Sequence, residues 1–184
     1  YARIAALEPD ASIAARALQA EVRCRVQSGD KARALRVISE RLTAGRLAAA
    51  TDLQGRSIAA DALLLALHLA ARNEALAARL HTLLTTYRGS SMPSSQRLFL
   101  IGELRALGFR QEFPLYEAEQ LAARYMEAER VRPGDTVLRP SSLDGIWRIT
   151  THSGRVTALY RTATVVDRLR AEFGSPTHDL HDAY

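Results

Sequence analysis

The sequence predicts a mostly α-helical protein: stacked antiparallel helix pairs, followed by a small C-terminal α+β cap that contains a β-hairpin. Two observations predict the helices. Apolar residues recur every three or four positions over the first two-thirds of the chain, and short turns rich in Gly, Asp and Pro separate the segments that carry them. A third observation predicts the hairpin, because apolar and polar residues alternate in 145–161, GIWRITTHSGRVTALYR.

These patterns also predict how the chain is organised. We expect the helical stack over residues 1–130, the hairpin and a closing helix packed on it over 131–173, and a linker or tail over 174–184. The chain has 184 residues, enough for one large domain or two small ones. A two-stranded hairpin alone is marginally stable in water, so we expect it to pack on helices.

The first four helices follow from apolar spacing and end signals. Ser28-Gly29-Asp30 separates the first two helices, since Gly29 suits a left-handed helix end and Asp30 can cap the next helix. Ser57 or Asp61 can cap the third helix, and Asn73 separates the third from the fourth. The apolar residues that define these helices are Ala14, Leu18, Val22 and Val26; Ala34, Leu35, Val37, Ile38 and Leu42; Ile58, Leu63, Leu64, Leu67 and Leu69; Leu76, Leu80, Leu83 and Leu84.

The remaining elements are read the same way. A fifth helix begins near Pro93 and ends before Gly108, and a sixth begins at Pro114. The run 132–135, RPGD, predicts a turn, and Thr136 to Leu138 predicts a short third strand. The closing helix is predicted from Val165, Val166, Leu169 and Phe173.

The hairpin carries the only tryptophan. Period-two alternation places Trp147 and Ile149 on one face of the strand, with Arg148 and Thr150 on the other. Gly154 supplies the positive φ of the turn. We interpret Trp147 as a core anchor that ties the hairpin to the helices, because an aromatic ring of this size buries a large area. A ligand-stacking role for Trp147 is the alternative.

Charge and cysteine content restrict the partners. The net charge is +5, and Lys31 is the only lysine among 25 basic residues. The arginines are scattered among acidic residues, and aromatic residues are few, which argues against nucleic acid as a partner. The single cysteine, Cys24, excludes an internal disulfide, and we expect it to be buried. There is no apolar run of about 18 residues and no signal peptide; since the chain begins with Tyr1, we interpret it as a piece of a longer protein.

The candidate chemical groups favour a non-catalytic chain. No phosphate-binding glycine loop or nucleophile elbow is present, so we expect no catalytic residues and no cofactor. His178 and His181 have zinc-like spacing, but they lie near the end of the sequence, and we predict no metal site. We interpret His68 and His81 as structural histidines. We expect the four glutamates of the sixth helix to lie on a solvated face: Glu117, Glu119, Glu127 and Glu129.

The segment 29–35, GDKARAL, resembles the turn between the two helices of a tetratricopeptide (TPR) repeat. In such a repeat the glycine makes the turn, and a small residue, here Ala34, lets the two helices approach closely. Tyr1 and Pro9 resemble the end of a preceding repeat. The large residues usual in the first helix are absent, because Leu18, Val22 and Arg25 stand at those positions.

The order of the parts is similar to the extracytoplasmic sensor regions of some membrane-bound bacterial sensor histidine kinases. That order is TPR-like helices, a tryptophan-bearing hairpin ending in Ala158-Leu159-Tyr160-Arg161, then a short helix. The resemblance implies a ligand- or partner-sensing, non-catalytic module, tethered to the membrane through its parent chain, with homodimer formation left open. The ligand could be a small molecule or a protein. The alternatives are a cytoplasmic TPR-like adaptor that binds a protein or peptide, and an unrecognised small enzyme.

Overall fold

A computed structural model of the chain describes residues 1–70, 73–87, 92–129 and 136–174. The described residues form eight α-helices and a small C-terminal three-stranded antiparallel sheet, so the predicted fold class is confirmed. The chain divides into two compact units, Tyr1–Glu119 and Gln120–Tyr184, and the boundary lies within a helix. We call them the N-terminal and C-terminal units.

Six helices and the start of a seventh form the N-terminal unit. Asp10, Asp30, Ser57 and Asn73 each cap a helix, because each side chain accepts a hydrogen bond from a backbone N–H of the first turn. The caps at Asp30 and Ser57 agree with the sequence prediction, which named Asn73 only as a boundary between helices and did not name Asp10. The helices are α1 (Ala2–Leu7), α2 (Ala11–Gln27), α3 (Lys31–Val37), α4 (Ile58–Leu69), α5 (Glu74–Thr85), α6 (Ser94–Ala106) and α7 (Tyr116–Ala128).

The predicted second helix is α3 followed directly by one π-helical segment, Ile38–Leu42. Between α2 and α3 the turn is as expected. Gly29 has φ of +81°, and the Asp30 side chain accepts from the N–H of Arg33 at 3.2 Å. Ala34 is fully buried, and α3 packs on α2.

Cys24 was predicted to be buried, and this is wrong, because it is exposed. The buried positions of α2 include Ala14, Leu18 and Val22, which recur every four residues. Cys24 is two positions beyond Val22, about 200° around the helix axis at 100° per residue, and so lies away from the core.

Two clusters of buried apolar side chains fill the N-terminal unit. One cluster contains side chains from α1, α2, α3 and α4. The other contains side chains from α4, α5, α6 and the loop after α6. A buried glutamine connects α6 to the start of α4. The Gln96 amide accepts from the N–H of Ser57 at 2.8 Å, and donates to the Ser57 carbonyl at 3.0 Å and to Asp61 at 2.8 Å. Because both groups of the amide are paired, Gln96 is a specific contact between these helices.

The C-terminal unit contains the strands β1 (Arg139–Pro140), β2 (Ile146–Thr150) and β3 (Thr157–Arg161), then α8 (Thr162–Phe173). The strand order is β1-β2-β3, with both pairs antiparallel. The third strand was predicted at Thr136 to Leu138, which is wrong. The paired residues come just after that segment, and Pro140 is tolerated because β1 is an edge strand. The predicted turn at 132–135 lies outside the described residues.

The buried position of Ala34 generates a stability prediction. Ala34→Leu should overpack the contact between α2 and α3 and lower the free energy of unfolding by about 1–3 kcal/mol. Urea denaturation measures this change. Ala32→Leu is the matched control, because Ala32 is exposed on the same helix. Equal unfolding midpoints for the two variants would contradict close packing at Ala34.

Candidate functional site

The two faces of the small sheet differ in chemistry. Alternation along β2 and β3 places Arg148, Thr150 and Thr157 on one face, which we call the polar face and which also carries Ile146 and Leu159. Trp147, Ile149, Ala158 and Tyr160 lie on the other, which we call the apolar face. This division follows the alternation predicted from the sequence for β2.

An ion pair closes the polar face. The Arg148 guanidinium lies 3.1 Å from the carboxylate of Glu129, the residue after α7, and both side chains are at most 17% exposed. The backbone N–H of Ser142 also donates to this carboxylate. Tyr125 of α7 is 2% exposed beside them. Since a charge removed from water needs compensating partners, these contacts fix α7 against the polar face.

The titration of this group reflects those contacts. Burial by itself raises the pKa of the Glu129 carboxyl, but hydrogen bonds from Ser142 and Tyr125 and the charge of Arg148 outweigh it, so the pKa lies below its ordinary value. The pKa of the Tyr125 hydroxyl is raised, first by burial and then by the neighbouring Glu129 carboxylate. The Glu129 carboxyl is therefore ionised at neutral pH.

On the apolar face, side-chain hydrogen bonds join the sheet to α8. The indole N–H of Trp147 donates to the Thr162 hydroxyl at 3.1 Å, and that hydroxyl donates to the Gly145 carbonyl at 3.0 Å. This chain of bonds fixes the first residue of α8 to the sheet. Trp147 itself is half-buried and is not part of either core cluster.

Beyond this attachment, the apolar face and α8 enclose an open groove of about 440 Å³, which we call the α8 groove. Its volume falls within the range of small-molecule sites. Ile149 and Val165 are half-buried, while Tyr160, Thr164 and Arg168 are exposed at its edge. The lining residues are Leu138, Ile149, Tyr160, Thr164, Val165, Arg168 and Leu169.

The helix above the groove is incompletely covered. No residue of α8 is buried, and exposure rises along its apolar side chains from 36% at Val166 to 50% at Leu169 and 79% at Phe173. Among the described residues of the C-terminal unit, the buried ones are Tyr125 and Thr150. A concentration of exposed apolar groups of this kind is typical of an interaction site.

A second cavity of about 470 Å³ lies at the other end of β2. Its charged lining residues are Arg124, Arg161 and Asp144, so both signs of charge are present. The α8 groove has one charged lining residue, Arg168. We therefore take the α8 groove as the candidate site.

Two of the four glutamates predicted on a solvated face are instead in ion pairs. Glu119 lies 3.1 Å from the buried Arg97, and Glu129 pairs with Arg148. The periodicity of one helix could not reveal these arginines, because they come from other elements. Glu117 and Glu127 are both exposed, as predicted.

The histidines are separated in the structure. His81 Nε2 lies 2.9 Å from the Glu112 carbonyl oxygen, and His68 lies 3.6 Å from the Glu103 carboxylate. His178 and His181 lie outside the described residues. Within the described ranges, no group of three or more His, Cys, Asp or Glu side chains is placed to hold a metal ion. Nor does any helix in those ranges have the length and hydropathy to cross a membrane.

Trp147 was expected to be a core anchor, whereas it is half-buried and lies outside both core clusters. The sequence predicted the turn at Gly154 but not the groove. Gly154 has φ of +70° in the hairpin turn, as expected. The available signal was the spacing in the closing helix, where Thr164 and Arg168 are four residues apart beside Val165 and Leu169. That spacing places two polar and two apolar groups on neighbouring stripes of α8.

The ion pair generates a pH prediction. Glu129→Gln should lower the free energy of unfolding at neutral pH by ~1–3 kcal/mol, because Arg148 loses its anionic partner. The carboxyl pKa is lowered from 4.5, so its stabilisation is complete above that pH and is lost as the pH falls through the folded value. Urea denaturation from neutral pH to about pH 3 should show the difference from the parent chain shrinking.

The control is Glu127→Gln, which changes an exposed carboxylate on α7. It should alter the free energy of unfolding by less than about 0.5 kcal/mol. A constant difference between Glu129→Gln and the parent chain across this pH range would contradict the ion-pair account.

Comparisons of this chain with protein-family models, curated proteins and solved structures gave no match. The candidate site therefore stands on the geometry of the α8 groove.

Proposed function

We propose that this chain is a non-catalytic recognition module that senses a ligand or partner in the α8 groove. The observation that carries the proposal is an open, mostly apolar groove beneath a helix with no buried residue. Ligand sites are concave and mostly apolar, with a few polar groups that fix orientation. The α8 groove has this composition.

The resemblance described above extends the proposal to a biological setting. The chain is then the extracytoplasmic sensor region of a membrane-bound sensor histidine kinase, tethered through its parent protein. The order of parts supports this extension: a helical unit, a tryptophan-bearing hairpin and a final described helix.

The helix α8 gives the proposed sensor a way to report occupancy. Its first residue is fixed to the sheet through Thr162, whereas its later apolar side chains are largely exposed. A ligand that contacts both Ile149 and Leu169 would bind the protein more tightly with α8 in one position than with α8 in another. A ligand shifts a conformational equilibrium only through such a difference in affinity. The position of α8 is therefore the proposed output.

Filling the groove tests this function in the parent protein. Val165→Trp should abolish the change in output between stimulated and unstimulated states, because the larger ring occupies the ligand volume. Val166→Trp is the matched control, since Val166 is adjacent on α8 but does not line the groove. The measurement is the ratio of the two outputs at equal protein levels. An unchanged ratio for Val165→Trp would contradict the proposal.

Location distinguishes the sensor from the cytoplasmic adaptor. In intact cells with a permeabilised outer membrane, an epitope placed in this chain should be cleaved by added protease if the chain is extracytoplasmic. Cleavage only after lysis of the inner membrane would favour the adaptor.

A further inference from the structure

We infer that the α8 groove binds a small amphiphilic carboxylate, an apolar chain or ring system with one carboxylate group, free in solution. This inference rests on the proposed function for the choice of site. It adds the chemical class of the ligand, which follows from the groups at the groove's edge.

The polar groups of the groove have no partner among the described residues. The side chains of Tyr160, Thr164 and Arg168 make no hydrogen bond or ion pair with other residues in the described part of the chain. Thr164 and Arg168 are four residues apart and share one side of α8. Two hydroxyls and a guanidinium in the lining of one groove favour an anionic acceptor, because charge-assisted hydrogen bonds are the stronger ones.

The charge of the groove has one sign. Arg168 is the charged residue of the lining, whereas Arg170, two positions on, already pairs with Asp167 at 3.8 Å. A planar guanidinium matches a carboxylate in geometry as well as in charge. A cationic ligand would be repelled by Arg168, and a neutral ligand would form no ion pair with it.

The rest of the groove is apolar. Leu138, Ile149, Val165 and Leu169 supply its apolar surface, and Ile149 and Val165 are half-buried. An apolar body placed against these side chains leaves water as its carboxylate meets the edge. The donors and the apolar surface together match an amphiphile better than a fully polar anion.

The test uses octanoate below its micelle concentration and the emission of Trp147. Trp147 is the single tryptophan, and it pairs across strands with the groove residue Tyr160. Octanoate should change this emission saturably, and octan-1-ol and octylammonium should bind about tenfold more weakly or not at all, because each lacks the carboxylate. Acetate, which lacks the chain, should give no change at the same concentrations.

Arg168→Gln should weaken octanoate binding by about tenfold or more, since it removes the charge-assisted bond. Arg170→Gln is the matched control and should bind as the parent chain does, because Arg170 does not line the groove. Melting curves of both variants verify that the fold is retained. Octanoate binding to the parent chain should weaken with added salt, because salt screens an exposed ion pair such as that between Arg168 and the octanoate carboxylate.

Three results would overturn the inference: equal affinity for octanoate and octan-1-ol, unchanged affinity in Arg168→Gln, or binding only to phosphatidylcholine vesicles containing octanoate. A fourth contrary result would come from sedimentation: a dimer that octanoate does not dissociate and that does not form in Val165→Trp. Such a dimer would show that a second copy of the chain occupies the groove. If octanoate fails while Val165→Trp still abolishes the response of the parent protein, the ligand class is wrong and the proposed function stands. If Val165→Trp leaves that response intact, the proposed function itself is wrong.

Discussion

Alternation along β2 is the constraint on which the C-terminal unit depends. Successive side chains of a strand point to opposite faces, so Arg148 pairs with Glu129, just after α7, while Trp147 bonds to Thr162 of α8. A slip of one residue would place the guanidinium against α8 and the indole against Glu129, and both faces would lose their partners. The ion pair therefore helps to select the strand register as well as to stabilise the fold.

The two faces are completed to different degrees. On the polar face, Glu129 and Arg148 are compensated by each other and by Ser142. On the apolar face, a hydrogen bond to Thr162 holds one end of a helix that has no buried residue. An isolated helix of about 12 residues is marginal in water, so α8 depends on its packing against the sheet. The same incompleteness that weakens the unit would make it responsive to a ligand.

Local signals in the sequence predicted most of the fold. Asp30, Ser57 and Asn73 were recognisable as helix boundaries because capping depends on a few neighbouring residues. The errors came from contacts distant in sequence. Glu119 and Glu129 were placed in solvent because their arginine partners lie on other elements, and β1 was misplaced because pairing with β2 selects its residues. The α8 groove was missed for the same reason, since it exists only where β2, β3 and α8 come together.

Residue-resolved amide hydrogen exchange of the ligand-free chain tests the central claim, that the polar face is closed and the apolar face is open. The amides of β2 that pair with β3 should be well protected. The amides of α8 after its first turn should exchange much faster, because few contacts hold that part of the helix. A bound groove ligand should slow exchange in α8 and leave β2 nearly unchanged. Protection of α8 equal to that of β2 without any ligand would contradict the account.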